Sequence, residues 1–206
     1  MKTFKHVLAK AAIIFGLMTL ICGLLYTLLI TGIAQLFFRD SANGSIIEID
    51  GVKYGSEMLA QNFTGEEYMW GRVMNIDVST YTDEDGNILM YASPSNLSPE
   101  SEEFEEIVQE RIEEIREANP DMAEEAIPAD LVTCSGSGLD PDISPEAAEF
   151  QVARIAEARG ISEDEVREVI DACTTGRLFG IFGEPTVNVL EVNLILDGIL
   201  DIEDAY

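Results

Sequence analysis

The chain has 206 residues and carries 39 Asp and Glu against 12 Lys and Arg, a formal charge of −27. A chain so acidic repels phosphate backbones, which excludes nucleic acid as its partner. Its three cysteines are too few for a disulfide scaffold. Its single histidine, His6, excludes Ser-His-Asp, Cys-His and histidine–metal chemistry from everything downstream.

From Ala11 to Phe38 run 28 residues without an Asp, Glu, Lys, Arg or His. As a helix this reaches about 42 Å, against a hydrocarbon core of about 30 Å, so it spans a membrane with tilt. A secretory signal peptide is the alternative, but its apolar part is shorter and ends in small residues. This run ends Leu36-Phe37-Phe38-Arg39, which reads as a retained transmembrane helix. Lys2, Lys5 and Lys10 precede it and Arg39 and Lys53 follow, a small bias toward a cytoplasmic N-terminus. The expected division is a cytoplasmic tail (residues 1–10), the span (11–38) and an extracytoplasmic domain (39–206). The expected location is the cell membrane, crossed once.

Within the span Thr19, Gly23, Thr27, Thr31 and Gln35 recur every four residues, a small and polar stripe winding slowly around one side of the helix. Small residues admit a neighbouring helix, and a Gln amide in lipid wants a partner, so the stripe reads as a docking face for other membrane helices. Threonine hydroxyls bonded to their own preceding turn are the competing account.

All 39 carboxylates lie from Asp40 onward with only eight Lys and Arg, so this part has a formal charge of −31. It would gather cations weakly over a Debye length of about 8 Å; solubility, in a saline habitat for instance, is the plainer reading. Residues 39–206 suffice for one domain with its own core. Cys134 and Cys173 either pair, if outside the cytoplasm, or are two separately buried thiols.

The pattern predicts an α+β domain with a small sheet and several helices. A loop at residues 40–45 leads to a short strand and turn over Ile46–Lys53. Val78–Tyr91 reads as a hairpin about Asp85-Gly86. Asp83-Glu84-Asp85-Gly86-Asn87 resembles a calcium loop, but Tyr81 and Ala92 would fall at the first and twelfth positions, so that site is rejected. Ser98-Pro99 is expected to open an amphipathic helix carrying Phe104, Ile107, Val108, Ile112 and Ile115 on one face and stopping at Asn119-Pro120. The acidic segment to Pro128 is linker-like.

Leu131-Val132-Thr133 reads as a strand and Ser135-Gly136-Ser137-Gly138-Leu139-Asp140-Pro141 as a loop. Ser144-Pro145 caps a helix with Ala148, Val152 and Ile155 inward, ending at Gly160. A Ser162…Glu165 capping box starts the next, with Val166, Val169, Ile170 and Cys173 inward, closing at Gly176. Gly180–Pro185 is a glycine-punctuated turn. Val187–Leu196 is expected to be helical, because Asn188 and Asn193 break strand alternation.

A strand, a Gly-Ser-Gly loop and a helix can cradle phosphate through backbone amides. Here no Lys or Arg lies in the loop, Asp140 and Asp142 flank it, and the P-loop pattern is missing. A tight connection is the favoured reading. A Ser-Lys dyad has only Lys53 to draw on, without a serine motif. Paired carboxylates for glycoside work are not singled out.

Several segments together resemble the C subunit of the Kdp-type high-affinity potassium-transporting P-type ATPase. They are Tyr26 with Thr31–Phe37, Asn43-Gly44-Ser45, Gly55-Ser56-Glu57, Trp70-Gly71-Arg72, Asp130–Thr133, Ser135–Pro141 and Ile143-Ser144-Pro145. Further on come Gln151-Val152, Arg154, Ala158-Arg159-Gly160, Gly176-Arg177, Phe182–Pro185 and Val187–Asn193. The chain departs from that pattern with Thr27 after Tyr26 in place of proline, and with Ser93–Ser98 in place of a glycine-rich segment. Cys134 and Asp142 replace the usual alanine and histidine, and an acidic insertion occupies Asn75–Met90.

The resemblance implies a non-catalytic subunit, held by one helix, that assists a channel-like potassium-translocating subunit and an ATP-hydrolysing P-type subunit. It also implies a chaperone that raises ATP affinity, with Ser135, Gly136, Ser137, Gly138 and Gln151 as suggested nucleotide contacts. No cofactor is expected to be tightly bound, and ATP is expected only through the complex. The topology opposes that contact, since ATP is inside and the loop is expected outside. A membrane-anchored hydrolase or ligand-binding module is the alternative function.

Overall fold

The apolar run from Ala11 is helical through Phe37. The computed structural model describes residues 2–205; Met1 and Tyr206, the outer ends of the expected tail and domain, lie outside the described residues. The chain divides into two units, Met1–Ser45 and Ile46–Tyr206.

In the first unit α1 (Lys2–Met18) runs through a π-helical segment, Thr19–Tyr26, into α2 (Thr27–Phe37). The helix thus begins before Ala11, since a terminus with three lysines still has good helix formers between them. Phe4–Phe37 is long and apolar enough to cross a membrane. A short turn, α3 (Arg39–Ala42), follows.

The second unit opens on an antiparallel hairpin, β1 (Ile46–Ile49) with β2 (Val52–Ser56). Asp50 and Gly51 make its turn at φ 53° and 78°, the doubly positive backbone that suits two-residue hairpin turns. A second hairpin pairs β3 (Ile76–Thr82) with β4 (Ile88–Ala92), as Asp85-Gly86 predicts. The turn is longer than two residues. The Asp83 carboxylate accepts from Asp85 N, Asn87 N and Asn87 Nδ2, tying its ends together.

The amphipathic helix is α4 (Glu102–Ala118). Its cap is Ser101, whose hydroxyl accepts from Phe104 N, not Ser98; residues 98–101 form a turn closed by Ser101 N donating to Ser98 O. The helix ends at Asn119 before Pro120 as expected. Leu131-Val132 is not a strand but lies in one helical turn, α5 (Ala129–Val132), with both side chains buried. The six residues between Pro128 and Ser135 leave room for a turn to bury two apolar groups on one side, which an extended piece cannot do.

β5 (Asp142–Ile143) precedes a helical stretch that breaks in two, α6 (Pro145–Glu149) and α7 (Val152–Arg159), where one helix is expected. Ser144 caps the first and Gly160, at φ 67°, ends the second in the left-handed conformation that glycine favours. α8 (Glu163–Ala172) carries the full Ser162–Glu165 capping box and closes at Cys173, before Gly176. β6 (Thr174–Thr175) and β7 (Thr186–Asn188) form with β5 an antiparallel sheet of order β5-β7-β6.

The final apolar run is therefore strand and then helix. Asn188 is the cap between them, its side chain accepting from Glu191 N, and α9 (Val189–Leu196) follows. The main core joins Met69, Trp70, Ile115, Leu131, Ile155, Val166 and Val192, around the three-stranded sheet. A satellite cluster of Ile47, Leu190, Leu194 and Leu200 seats the first hairpin.

Candidate functional site

The domain is organised around residues 69 and 70, which lie in an irregular stretch whose backbone has no strand to pair with. Two side-chain amides substitute for one. Met69 N donates to Asn193 Oδ1 at 2.7 Å and Asn193 Nδ2 donates to Met69 O at 2.9 Å. Trp70 N donates to Gln151 Oε1 at 2.8 Å and Gln151 Nε2 donates to Trp70 O at 3.0 Å. Each amide thus copies the donor–acceptor pair of a neighbouring strand. Asn193 comes from α9 and Gln151 from the break between α6 and α7, so the break aims that amide.

Arg154 fastens the same segment from below. Its guanidinium donates to Tyr68 O at 2.9 Å, Glu66 O, Gln151 Oε1 at 2.7 Å and Asn119 Oδ1 at 3.1 Å. It also lies 4.6 Å from the Trp70 ring centroid, with Arg111 at 5.5 Å, both within cation–π reach. Burial pushes the Arg154 pKa down to about 10, countered in part by Glu66 and Glu67, which leaves it charged at neutral pH. A buried charge is tolerated because its donors are met.

The serine-glycine loop closes on itself. Ser135 Oγ and Ser137 Oγ are 3.1 Å apart, and they accept from Gly138 N at 3.1 Å and Leu139 N at 3.2 Å. Gly138, at φ 74°, packs so tightly that a Cβ there would stand 2.4 Å from Ser93 O. Arg72 ties the loop to the Trp70-Gly71-Arg72 stretch, with Nη1 3.4 Å from Asp140 Oδ2 and Nη2 donating to Cys134 O at 3.3 Å. Alongside lies a cleft of about 510 Å³ lined in part by Gly71, Arg72, Glu110, Arg111 and Glu114.

Of the residues singled out for nucleotide contact, Ser135 to Gly138 form one turn, with Gly136 and Ser137 exposed and Ser135 and Gly138 buried, and Gln151 sits apart, fully buried. Both amide atoms of Gln151 are engaged, Oε1 twice and Nε2 twice, the second time to Ala147 O. Contact with a ligand would require those bonds to open. Asp142 is half-buried beside Asp140, and burial first, then the neighbouring charge, raises its pKa above the usual carboxylate range. Cys173 is buried and unpaired, as is the half-exposed Cys134, so the two do not form a disulfide. Among the described residues no group of three or more His, Cys, Asp or Glu is placed to hold a metal ion.

In the first unit the stripe residues lie on the helix surface. Thr27 Oγ1 donates to Cys22 O, five residues back, at 3.2 Å. In an α-helix a four-residue step overshoots the turn by about 40°. With i→i+5 bonding each turn takes more residues, so the same step falls short. The π segment over Thr19–Tyr26 therefore draws the stripe back, where a pure α-helix would let it drift. Gln35 finds its partner within the chain, exchanging hydrogen bonds with Asn43 at 3.2 and 3.3 Å.

Residues 8–198 match the family described as KdpC: K+-transporting ATPase, c chain. The chain belongs to this family. A relative from Clostridium botulinum (strain Alaska E43 / Type E3), described as Potassium-transporting ATPase KdpC subunit, is 57% identical over 200 residues, covering 97% of this chain and all of the relative. Relatives of the same description from Clostridium perfringens (57% identical; 94% of this chain, 98% of the relative) and Listeria monocytogenes (46%; 96% and 98%) match as extensively. The resemblance drawn from the motifs is thereby established, and the chain is a subunit of a potassium-transporting ATPase.

The amide clasp at Met69 and Trp70 escaped the motif reading. Its signals were the lone Trp and an asparagine in the middle of an apolar run, each a polar group that a core must satisfy.

Proposed function

We propose that this KdpC-family chain is a non-catalytic assembly subunit, which secures the ATP-hydrolysing and the channel-like subunits of the potassium pump through its membrane helix and its folded domain. Family membership over nearly the whole chain carries this reading. The geometry supports it: the polar groups at the centre of the domain are bonded to one another, in the manner of a scaffold, and not held toward an open cleft. The effect on ATP affinity that the resemblance implies is assigned here to assembly. Gln151 acts on the fold and not on nucleotide in this reading, because its amide is fully engaged. No cofactor of its own is assigned to the chain.

The proposed topology has the tail inside, the span over residues 11–38, and the domain from Arg39 outside, on the lysine bias. It is tested by a cysteine placed at Glu84, in the exposed turn of the second hairpin, after removal of Cys134 and Cys173. A membrane-impermeant maleimide should label it in intact cells; labelling only after lysis would reverse the orientation and reopen direct ATP contact. The function is tested by deleting the gene and following growth at limiting potassium. Loss of growth, restored by the chain but not by a chain ending at Ser45, is the expected result. Normal growth without the chain would remove it from the pump.

A further inference from the structure

The cleft of about 510 Å³ beside the Trp70-Gly71-Arg72 stretch gathers positive charge in a chain whose residues from Asp40 onward carry a formal charge of −31. Two of the eight Lys and Arg in that part, Arg72 and Arg111, line it. Arg111 is held in place. Its Nε donates to Leu131 O at 3.0 Å, Nη1 meets Glu114 at 2.6 Å, and the guanidinium lies 5.5 Å from the Trp70 ring centroid. Arg72 is held loosely. Its contacts to Asp140 and Cys134 O are 3.4 and 3.3 Å long, where charged pairs ordinarily close to about 2.7–2.9 Å. Among the described residues its Nε is the one buried side-chain nitrogen without an acceptor. A donor in that state costs free energy until some group accepts from it.

We propose that the cleft is a binding site for a free, small monocarboxylate with an apolar body. A carboxylate meets a guanidinium edge with two oxygens, so one group supplies the acceptor that Arg72 Nε lacks and a closer partner than Asp140. The Arg72 side chain is 24% exposed, and its two long bonds let the guanidinium turn that edge toward the cleft. Arg111 adds a second, fixed positive charge. Phe63, Met74 and Ile107 line the same space and receive the apolar body. The volume is that of a small-molecule site, about 300–1,000 Å³. Glu110 and Glu114 also line the cleft, and they limit the charge it accepts. Two guanidiniums outweigh them for a monoanion, whereas a phosphate monoester sets nearly a second negative charge beside them. The ligand is therefore not a nucleotide, and the site does not depend on the assembly reading.

The full chain in non-ionic detergent reports on the site directly, because Trp70 is its single tryptophan and lies beside Arg111. Benzoate is the probe, and it should change the tryptophan emission saturably at neutral pH. Benzamide, the same body without the charge, and phenyl phosphate, with nearly two charges, should each bind about tenfold more weakly. Arg72→Lys keeps a positive charge but loses the planar fork, and should weaken benzoate about tenfold. Arg177→Gln, at the exposed pair with Glu184, should bind as the parent does. If Arg72→Lys does not fold, the exposed Glu110→Gln decides: phenyl phosphate should gain about tenfold relative to benzoate. No saturable change with benzoate, benzamide binding equally well, an Arg72→Lys chain that binds like the parent, or no gain in Glu110→Gln would overturn the site. Binding by the lone chain that disappears in the purified complex would overturn a free ligand, and would give the cleft to a carboxylate of a partner subunit.

Discussion

Gln151 and Trp70 face each other as two paired strands would, with the side-chain amide of one answering both backbone groups of the other at 2.8 and 3.0 Å. Asn193 does the same for Met69 one residue earlier, so a two-residue stretch that belongs to no strand is bonded as if it were in a sheet. The domain core is assembled on that stretch, because Met69 and Trp70 lie inside it.

Removing either amide leaves buried backbone groups without partners, each costing about 1–3 kcal/mol. Gln151→Leu and Asn193→Leu should each destabilise the domain by about 2–4 kcal/mol, and their double variant by less than the sum, since they act on adjacent residues. Thermal unfolding of the variants in detergent checks this. A Gln151→Leu chain with unchanged stability that nevertheless weakens ATP binding by the complex would make Gln151 a nucleotide contact.

Asp142 gives the domain a pH dependence. Its pKa is raised in the folded state, so the fold holds this proton longer than the unfolded chain does. Its stabilising share is complete below the ordinary carboxylate pKa and is lost as pH rises through the raised value. Asp142→Asn keeps the acceptor that meets Asn188 Nδ2 at 3.3 Å and has no charge to desolvate. Denaturant midpoints should therefore show the variant gaining on the parent as pH goes from about 3 to 7. A parallel pair of curves would contradict the account.

Cys173 should be inert. It is buried, and burial first, then Glu191, lifts its thiol to about 12. In a Cys22→Ser background at pH 8, a thiol reagent should modify Cys134 and reach Cys173 only on unfolding. Prompt modification of both would show that the core opens.

The membrane stripe makes a graded prediction. A Cβ at Gly23 would meet only Thr19 Cγ2, at 3.9 Å, so the helix itself accommodates a side chain there. Any loss of assembly in Gly23→Leu therefore reports a neighbouring helix. Gln35→Leu should do less, since the amide is already partnered by Asn43 and interhelical hydrogen bonds in membranes average about 0.6 kcal/mol. Co-purification should rank the two in that order; equal retention of both, with losses from Leu25 or Leu29 substitutions, would move the docking face.

Features set by neighbouring residues were legible. The apolar span, the Ser162–Glu165 box, the Gly160 stop and the hairpin about Gly86 all follow from local chemistry, and all stand in the structure. What depends on distant partners was not. Gln151 breaks a helix whose sequence pattern is continuous, because its amide is needed by Trp70, 81 residues away. Val187–Leu196 changes from strand to helix where Asn188 meets both Asp142 and the first turn of α9. The π segment has no signature in composition, since the same apolar residues make an α-helix on either side of it.

The most direct test of the central claim is affinity purification of the tagged chain from native membranes under potassium limitation, with potassium-stimulated ATP hydrolysis assayed on the eluate. The account predicts that the ATP-hydrolysing and channel-like subunits elute with the chain in fixed proportion. It also predicts that complexes prepared without the chain fall apart or lose that hydrolysis. An intact, fully active pump lacking the chain, or a tagged chain that elutes alone, would contradict it.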